Sequence, residues 1–371
     1  MRRPNQRQPG IDALKGLACS LIIWHHLAFY GPMSDVLYPH LSELTDWLYG
    51  YGRMAVQVFL VVGGFLAAGS LAPQGVAVFG SPLRLIWRRY QRLALPYGVA
   101  LGASVLVAAV VRPWFAHPSV SDDATLLQFL AHLLLLQDVL DHEALSAGVW
   151  YVAIDFQLFC MSVATFSLTR RLGRWWPAAP RLLVPAGIGG VLVLAVLSLF
   201  FFNRQAELDH TGLYFFGAYA LGMLAFWVAQ APRRGAWLLL IGALGGLALM
   251  LDFRGRLLVA LGVAFGLVWL QSGGSAARHA MRLQPFGWLV RLLARLGTMS
   301  YSVFLIHFPV CLLVNAVVTY FWPTQVLANA LGLLAAFGLS LWAGQVLYQR
   351  VEAGHGRLLG LIKSRLIRSA T

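Results

Sequence analysis

Residues 11–31, IDALKGLACSLIIWHHLAFYG, place Asp12, Lys15, His25 and His26 in a run long and apolar enough to cross a bilayer. Titratable groups in hydrocarbon are costly and mark functional sites. On a helix of ~3.6 residues per turn, Lys15 and His26 are almost three full turns apart and share a face. The rise of ~1.5 Å per residue separates them by roughly 16 Å along the axis, and His25 points about 100° away from His26. Asp12, three residues before Lys15, is within side-chain reach of it. The pattern suits a polar stripe facing a protein cavity, with one histidine as an acid/base group. The plainer alternative is a lysine that snorkels to water and histidines bonded to neighbouring helices.

Three later segments add chemistry. RLIWRRYQRLALPYG (84–98) sets Arg88, Arg89 and Arg92 before an apolar run, among Trp87, Tyr90 and Tyr97. Arg88 and Arg92 share a helix face. They suit either a topogenic anchor or a clamp for phosphate oxygens, whose geometry arginine forks match. GVWYVAIDFQLFCMS (148–162) holds Asp155 and Gln157 in an apolar run, where a carboxylate needs a proton or a partner. LGTMSYSVFLIHFPV (296–310) opens with Gly297, Ser300 and Tyr301 and places His307 about mid-span. Pro309 removes a backbone donor there and is expected to kink the helix.

The elements that position these groups follow from composition. Of 371 residues, 59% are hydrophobic and 11% charged, against about 25% charged in a soluble domain. Apolar runs recur at about 11–31, 53–72, 93–112, 148–169, 182–202, 212–230, 235–251, 255–271, 297–320 and 325–349, each fit to span ~30 Å of hydrocarbon. This predicts an all-α integral membrane protein of about ten transmembrane helices. The shorter stretch 125–141, with His132 and Asp138, is expected to be re-entrant or interfacial. With the N-terminus in the cytoplasm, 23 of the 28 Lys and Arg fall on that side. Arg53, Arg112, Arg204, Arg254 and Arg256 fall on the other, so both termini are expected inside. A basic N-terminus (1–10) and a basic C-terminal tail (351–371) flank one membrane domain (11–350).

The same bias explains the net charge of +14 without nucleic acid as a partner. Cys19, Cys160 and Cys311 lie in apolar runs and read as small buried hydrophobes. No metal-ligand spacing occurs, and none is expected. The first run carries charges and histidines and has no cleavage site, so it is not a signal peptide.

Taken in order, these segments resemble acyltransferase family 3, the polytopic membrane O-acyltransferases of cell-envelope glycans. Lys15 and His26 match the family's basic residue, ten-residue gap and histidine. VFLVVGGF (58–65) resembles its second-helix signature ending Ser-Gly-Phe, and RRYQRLALPY (88–97) its arginine stretch. WYVAIDFQLF (150–159) resembles its Trp-x-x-x-x-Glu-x-Gln segment, and LGTMSYSVFLIHFPV its late Gly-x-Ser-Tyr-x-x-Tyr-Leu-x-His signature. Three positions depart from the pattern: Lys15 stands where arginine is usual, Gly63 for serine and Asp155 for glutamate. Nothing resembles the soluble hydrolase-like domain of longer members, so a stand-alone type is expected.

The resemblance implies an acyl-CoA donor, acetyl-CoA by default, acting as co-substrate on the cytoplasmic side. It implies a carbohydrate or glycolipid hydroxyl as acceptor and a multi-pass place among the lipids of a bacterial inner membrane. His26 would be general base or transient acyl carrier, with Lys15 stabilising the donor or an oxyanion and Asp155 or His307 orienting His26. Arg88, Arg89 and Arg92 would hold the donor's phosphates, and Asp12, Ser300 and Tyr301 are further candidates. A proton-coupled transporter or flippase of a glycan precursor would also use intramembrane His and Asp. It would be marked by paired Gly/Pro-broken segments in corresponding halves, which the sequence lacks. A structural scaffold would not need so many buried titratable groups.

Overall fold

The computed structural model describes residues 8–175, 183–272 and 287–354. Most of the basic N-terminus and tail (residues 1–7 and 355–371) lies outside the described residues. All regular structure among the described residues is helical. Each helix closes its own backbone hydrogen bonds, which is what a chain in hydrocarbon requires. The protein is an all-α membrane protein.

The helices are α1 (Pro9–Phe29), α2 (Pro32–Tyr51), α3 (Val56–Leu71), α4 (Pro82–Val111), α5 (Leu126–Leu133), α6 (Val149–Trp175) and α7 (Leu183–Phe200). They continue with α8 (Gly212–Val228), α9 (Arg234–Leu251), α10 (Gly255–Ser272), α11 (Gly287–Thr298), α12 (Ser300–Phe321) and α13 (Val326–Leu347). Among the described residues, eight helical stretches are long and apolar enough to cross a membrane. α1, with its charges and histidines, and α8, with 17 residues, are not among them.

One element differs from the sequence expectation. Residues 32–51, expected as a connection, form α2. Pro32 occupies the first turn, where a missing N–H costs nothing. The helix bends at Leu41 (φ −137°, ψ 31°), two residues after Pro39. The stretch 125–141 is helical only over α5, which opens with a capping box between Thr125 and Gln128. Leu135 and Asp141 then take left-handed backbone (φ 59° and 54°), turning the chain out of the helix. α12 runs through Pro309 to Phe321.

The described residues form two compact units. One comprises Met1–Ala18, Met54–Trp87 and Ala153–Gly297; the other comprises Cys19–Arg53, Arg88–Val152 and Thr298–Thr371. In the first, α8 packs against α3, α7 and α10. A Cβ at Gly64 would fall on the Tyr219 carbonyl, and one at Gly222 on the Val61 carbonyl. This backbone-to-backbone approach between α3 and α8 is the small-residue packing of membrane helices. In the second, α13 packs along α12 and α2 lies against both. Ala108 and Val111 of α4, with Phe115, pack on Leu312 and Ala316 of α12.

Candidate active site

In the second unit, His26 near the end of α1 meets His307 in the middle of α12. His26 Nδ1 is 2.6 Å from His307 Nε2. The rings lie 10° from parallel with centroids 4.9 Å apart. A centroid separation that long beside so short a nitrogen contact means edge-to-edge rings, the geometry of an in-plane hydrogen bond. The other nitrogen of His307, Nδ1, is 2.7 Å from the Phe304 carbonyl, one helical turn back.

These contacts fix the tautomers. A carbonyl only accepts, so His307 Nδ1 carries the proton. A neutral His307 then offers the Nε2 lone pair, and His26 must donate from Nδ1. Nε2 of His26 keeps a free lone pair, as a general base requires. Tyr30 packs edge-on to His26 at 5.4 Å and Phe308 edge-on to Tyr30 at 5.3 Å. His307 is fully buried.

His25 is differently employed. It is buried, and its Nδ1 donates to the Leu48 carbonyl at 2.9 Å, near the end of α2. A Cβ at Gly52 would come within 2.8 Å of the His25 Cβ, so the chain after α2 is pressed against this ring. The 100° between adjacent positions thus sends one histidine to His307 and the other to hold α2.

On α4, Arg88 and Arg92 are exposed on one face, and Arg89 is half-buried with its Nε turned inside. Tyr301 Oη donates to the Leu93 carbonyl at 2.9 Å and so ties α12 to α4. The Cys19 thiol donates to the Ser300 carbonyl, and Ser300 is buried.

The first unit holds Asp12, Lys15 and Asp155. Lys15 Nζ donates to Asp12 Oδ1 at 3.0 Å. Here α1 runs against α11: a Cβ at Gly16 would fall on the Leu293 carbonyl, and one at Gly297 on the Asp12 carbonyl. The glycine of the 296–310 motif is therefore a contact point for the turn that carries the Asp12–Lys15 pair. Asp155 is buried on α6. A Cβ added at Gly63 would lie 3.2 Å from the Tyr219 ring and 3.7 Å from Asp155 Oδ1. The two positions where serine and glutamate were expected from the resemblance thus face each other.

Sequence reasoning offered Asp155 or His307 as the partner of His26; the contact is with His307, 281 residues away in the chain. It missed the Phe304 carbonyl, a backbone group that no residue type announces. No curated protein and no solved structure matches the chain. The model of an acyltransferase domain matches residues 8–349, a span that includes every candidate above. The chain belongs to acyltransferase family 3.

Proposed function

We propose that this membrane acyltransferase moves an acyl group, acetyl first, from acyl-CoA to a hydroxyl of a carbohydrate or lipid-linked glycan of the cell envelope, in a bacterial inner membrane. The observation that carries the proposal is the Phe304–His307–His26 chain, which leaves His26 Nε2 as a positioned base. That nitrogen takes the acceptor's hydroxyl proton while the oxygen bonds to the thioester carbonyl carbon. The tetrahedral intermediate collapses with cleavage of the C–S bond. The CoA thiolate takes the proton back from Nε2 and leaves as the thiol.

Lys15 and His26 belong to the same unbroken helix. At ~1.5 Å per residue they stand roughly 16 Å apart along it, too far to act on one reacting atom. We therefore assign Lys15, paired with Asp12, to the donor away from its thioester. Arg88, Arg89 and Arg92 are assigned to the donor's phosphates, and Asp155 to contact with substrate. Membranes bearing His26→Ala at normal protein level are expected to lose acyl transfer; full activity would refute the mechanism. Mass spectrometry of envelope glycans from a deletion strain and its parent identifies both groups. The missing mass names the acyl group, and the fragment that lacks it names the acceptor.

A further inference from the structure

Tyr97 on α4 and Ser146 in the loop before α6 are both buried, 1% and 5% exposed. Neither hydroxyl has a hydrogen-bond partner among the described residues. Both line the same cavity, walled also by Ala100, Leu101, Gly148 and Phe304. A buried hydroxyl left unmade costs about 1–3 kcal/mol, and native structures seldom leave two side by side. The cavity itself therefore points to a guest.

Size and chemistry narrow the guest. The space open to a water's centre is about 10 Å³, close to the ~10–15 Å³ that one water needs. An acyl chain does not fit. A hard cation takes about six or more oxygen ligands, and this wall offers two hydroxyls among apolar groups. An anion would find no cationic side chain in this wall. What remains is a small neutral molecule that both donates and accepts. The wall is closely packed: Gly148 takes left-handed backbone (φ 79°), and a Cβ there would come within 2.8 Å of the Phe304 ring.

We infer that this cavity is a hydration site in which one ordered water bridges Tyr97 Oη and Ser146 Oγ, pinning the loop before α6 to α4 beside Phe304. A density map of the full chain that resolves ordered waters is expected to show one peak within hydrogen-bond distance of both oxygens. Hydroxyls bonded directly to each other or to protein groups, with no peak, overturn the inference. A thermal double-mutant cycle with Tyr97→Phe and Ser146→Ala tests it independently. Each single substitution is expected to lower the midpoint by a few degrees, and the double by clearly less than their sum, because both remove bonds to one water. Neutral singles, or losses that simply add, would overturn it as well.

Discussion

His26 Nδ1 stands 2.6 Å from His307 Nε2, and that one bond decides which nitrogen of His26 is free. His307 in turn takes its direction from a backbone carbonyl of its own helix. A carbonyl inside a helix cannot turn away, so the orientation reaches His26 from a rigid element. A side-chain carboxylate in the same place would be free to move.

The dyad makes a graded prediction. His26→Ala should lower acyl transfer by roughly 10²–10⁴, the usual worth of a positioned acid/base group. His307→Ala should cost less, because His26 survives without its guide. His307→Gln should retain more than His307→Ala, since its Oε1 can accept from His26 Nδ1–H. Rates at matched protein level and saturating donor check the ranking; equal rates for the Gln and Ala variants would dismiss the hydrogen bond as the cause.

The Gly63–Asp155 contact predicts coupling. Serine at 63 brings a Cβ to 3.2 Å from the Tyr219 ring and a hydroxyl towards Asp155, and glutamate at 155 needs room on the same side. Gly63→Ser and Asp155→Glu should each reduce activity or thermal stability. Their combination should differ from the sum by about 0.5–3 kcal/mol, the range for residues in contact. Additive effects would mean that the two positions do not read each other.

Much of this was legible in the sequence. The apolar runs announce helices because lipid leaves the backbone no other choice, and the gap from Lys15 to His26 is enough to separate the two histidines. What stayed hidden were the pairings. Which of Asp155 and His307 meets His26 depends on how α1 meets α12, and the nearness of Asp155 to Gly63 on how α6 lies against α3. The helix at 32–51 was masked by Asp35, Glu43 and Asp46, which lower its hydropathy without breaking a helix. Its prolines read as breakers, yet one sits in the first turn and the other at a bend.

Arg88 and Arg92 yield a binding prediction. Both are exposed on one face of α4. Hydrogen bonds to charged groups are worth about 1.5–3 kcal/mol, so Arg88→Ala or Arg92→Ala should weaken acyl-CoA binding by roughly tenfold or more. The loss should shrink at high salt. Unchanged donor affinity in both variants, measured on the purified protein, would leave these arginines as anchors of orientation.

Arg254 is expected to be structural. Its guanidinium donates to the carbonyls of Leu199 at 3.1 Å, Ala248 at 3.2 Å and Asp252 at 3.2 Å, and to Asn203 Oδ1 at 2.6 Å. Leu199 and Ala248 lie near the C-terminal ends of α7 and α9, where unsatisfied carbonyls favour a cation. Arg254→Ala strands several buried acceptors at about 1–3 kcal/mol each, and Arg254→Lys lacks the fork to serve them. Both should lower the thermal midpoint and protein yield, with Asp252→Asn far milder. An Arg254→Lys protein as stable as wild type would contradict the role.

His132 supplies the pH dependence. Its Nδ1 donates to the Gln128 carbonyl at 2.8 Å, and its Nε2 accepts from the Leu145 N–H at 3.2 Å. Both bonds exist together only for the neutral ring, since a proton on Nε2 would face a donor. Burial holds its pKa below the ordinary 6.5; the Gln128 bond opposes this and the charge of His142 adds to it. The unfolded chain therefore takes up a proton at higher pH than the folded one. The stability from this histidine is complete above pH 6.5 and falls as the pH drops through 6.5 towards the lower folded value, by up to about 1.4 kcal/mol per pH unit. Thermal midpoints of wild type and His132→Gln across that window check the sign. Wild type should lead clearly at about pH 8, and its lead should narrow at about pH 5. A constant gap would assign the acid sensitivity of this loop to another group.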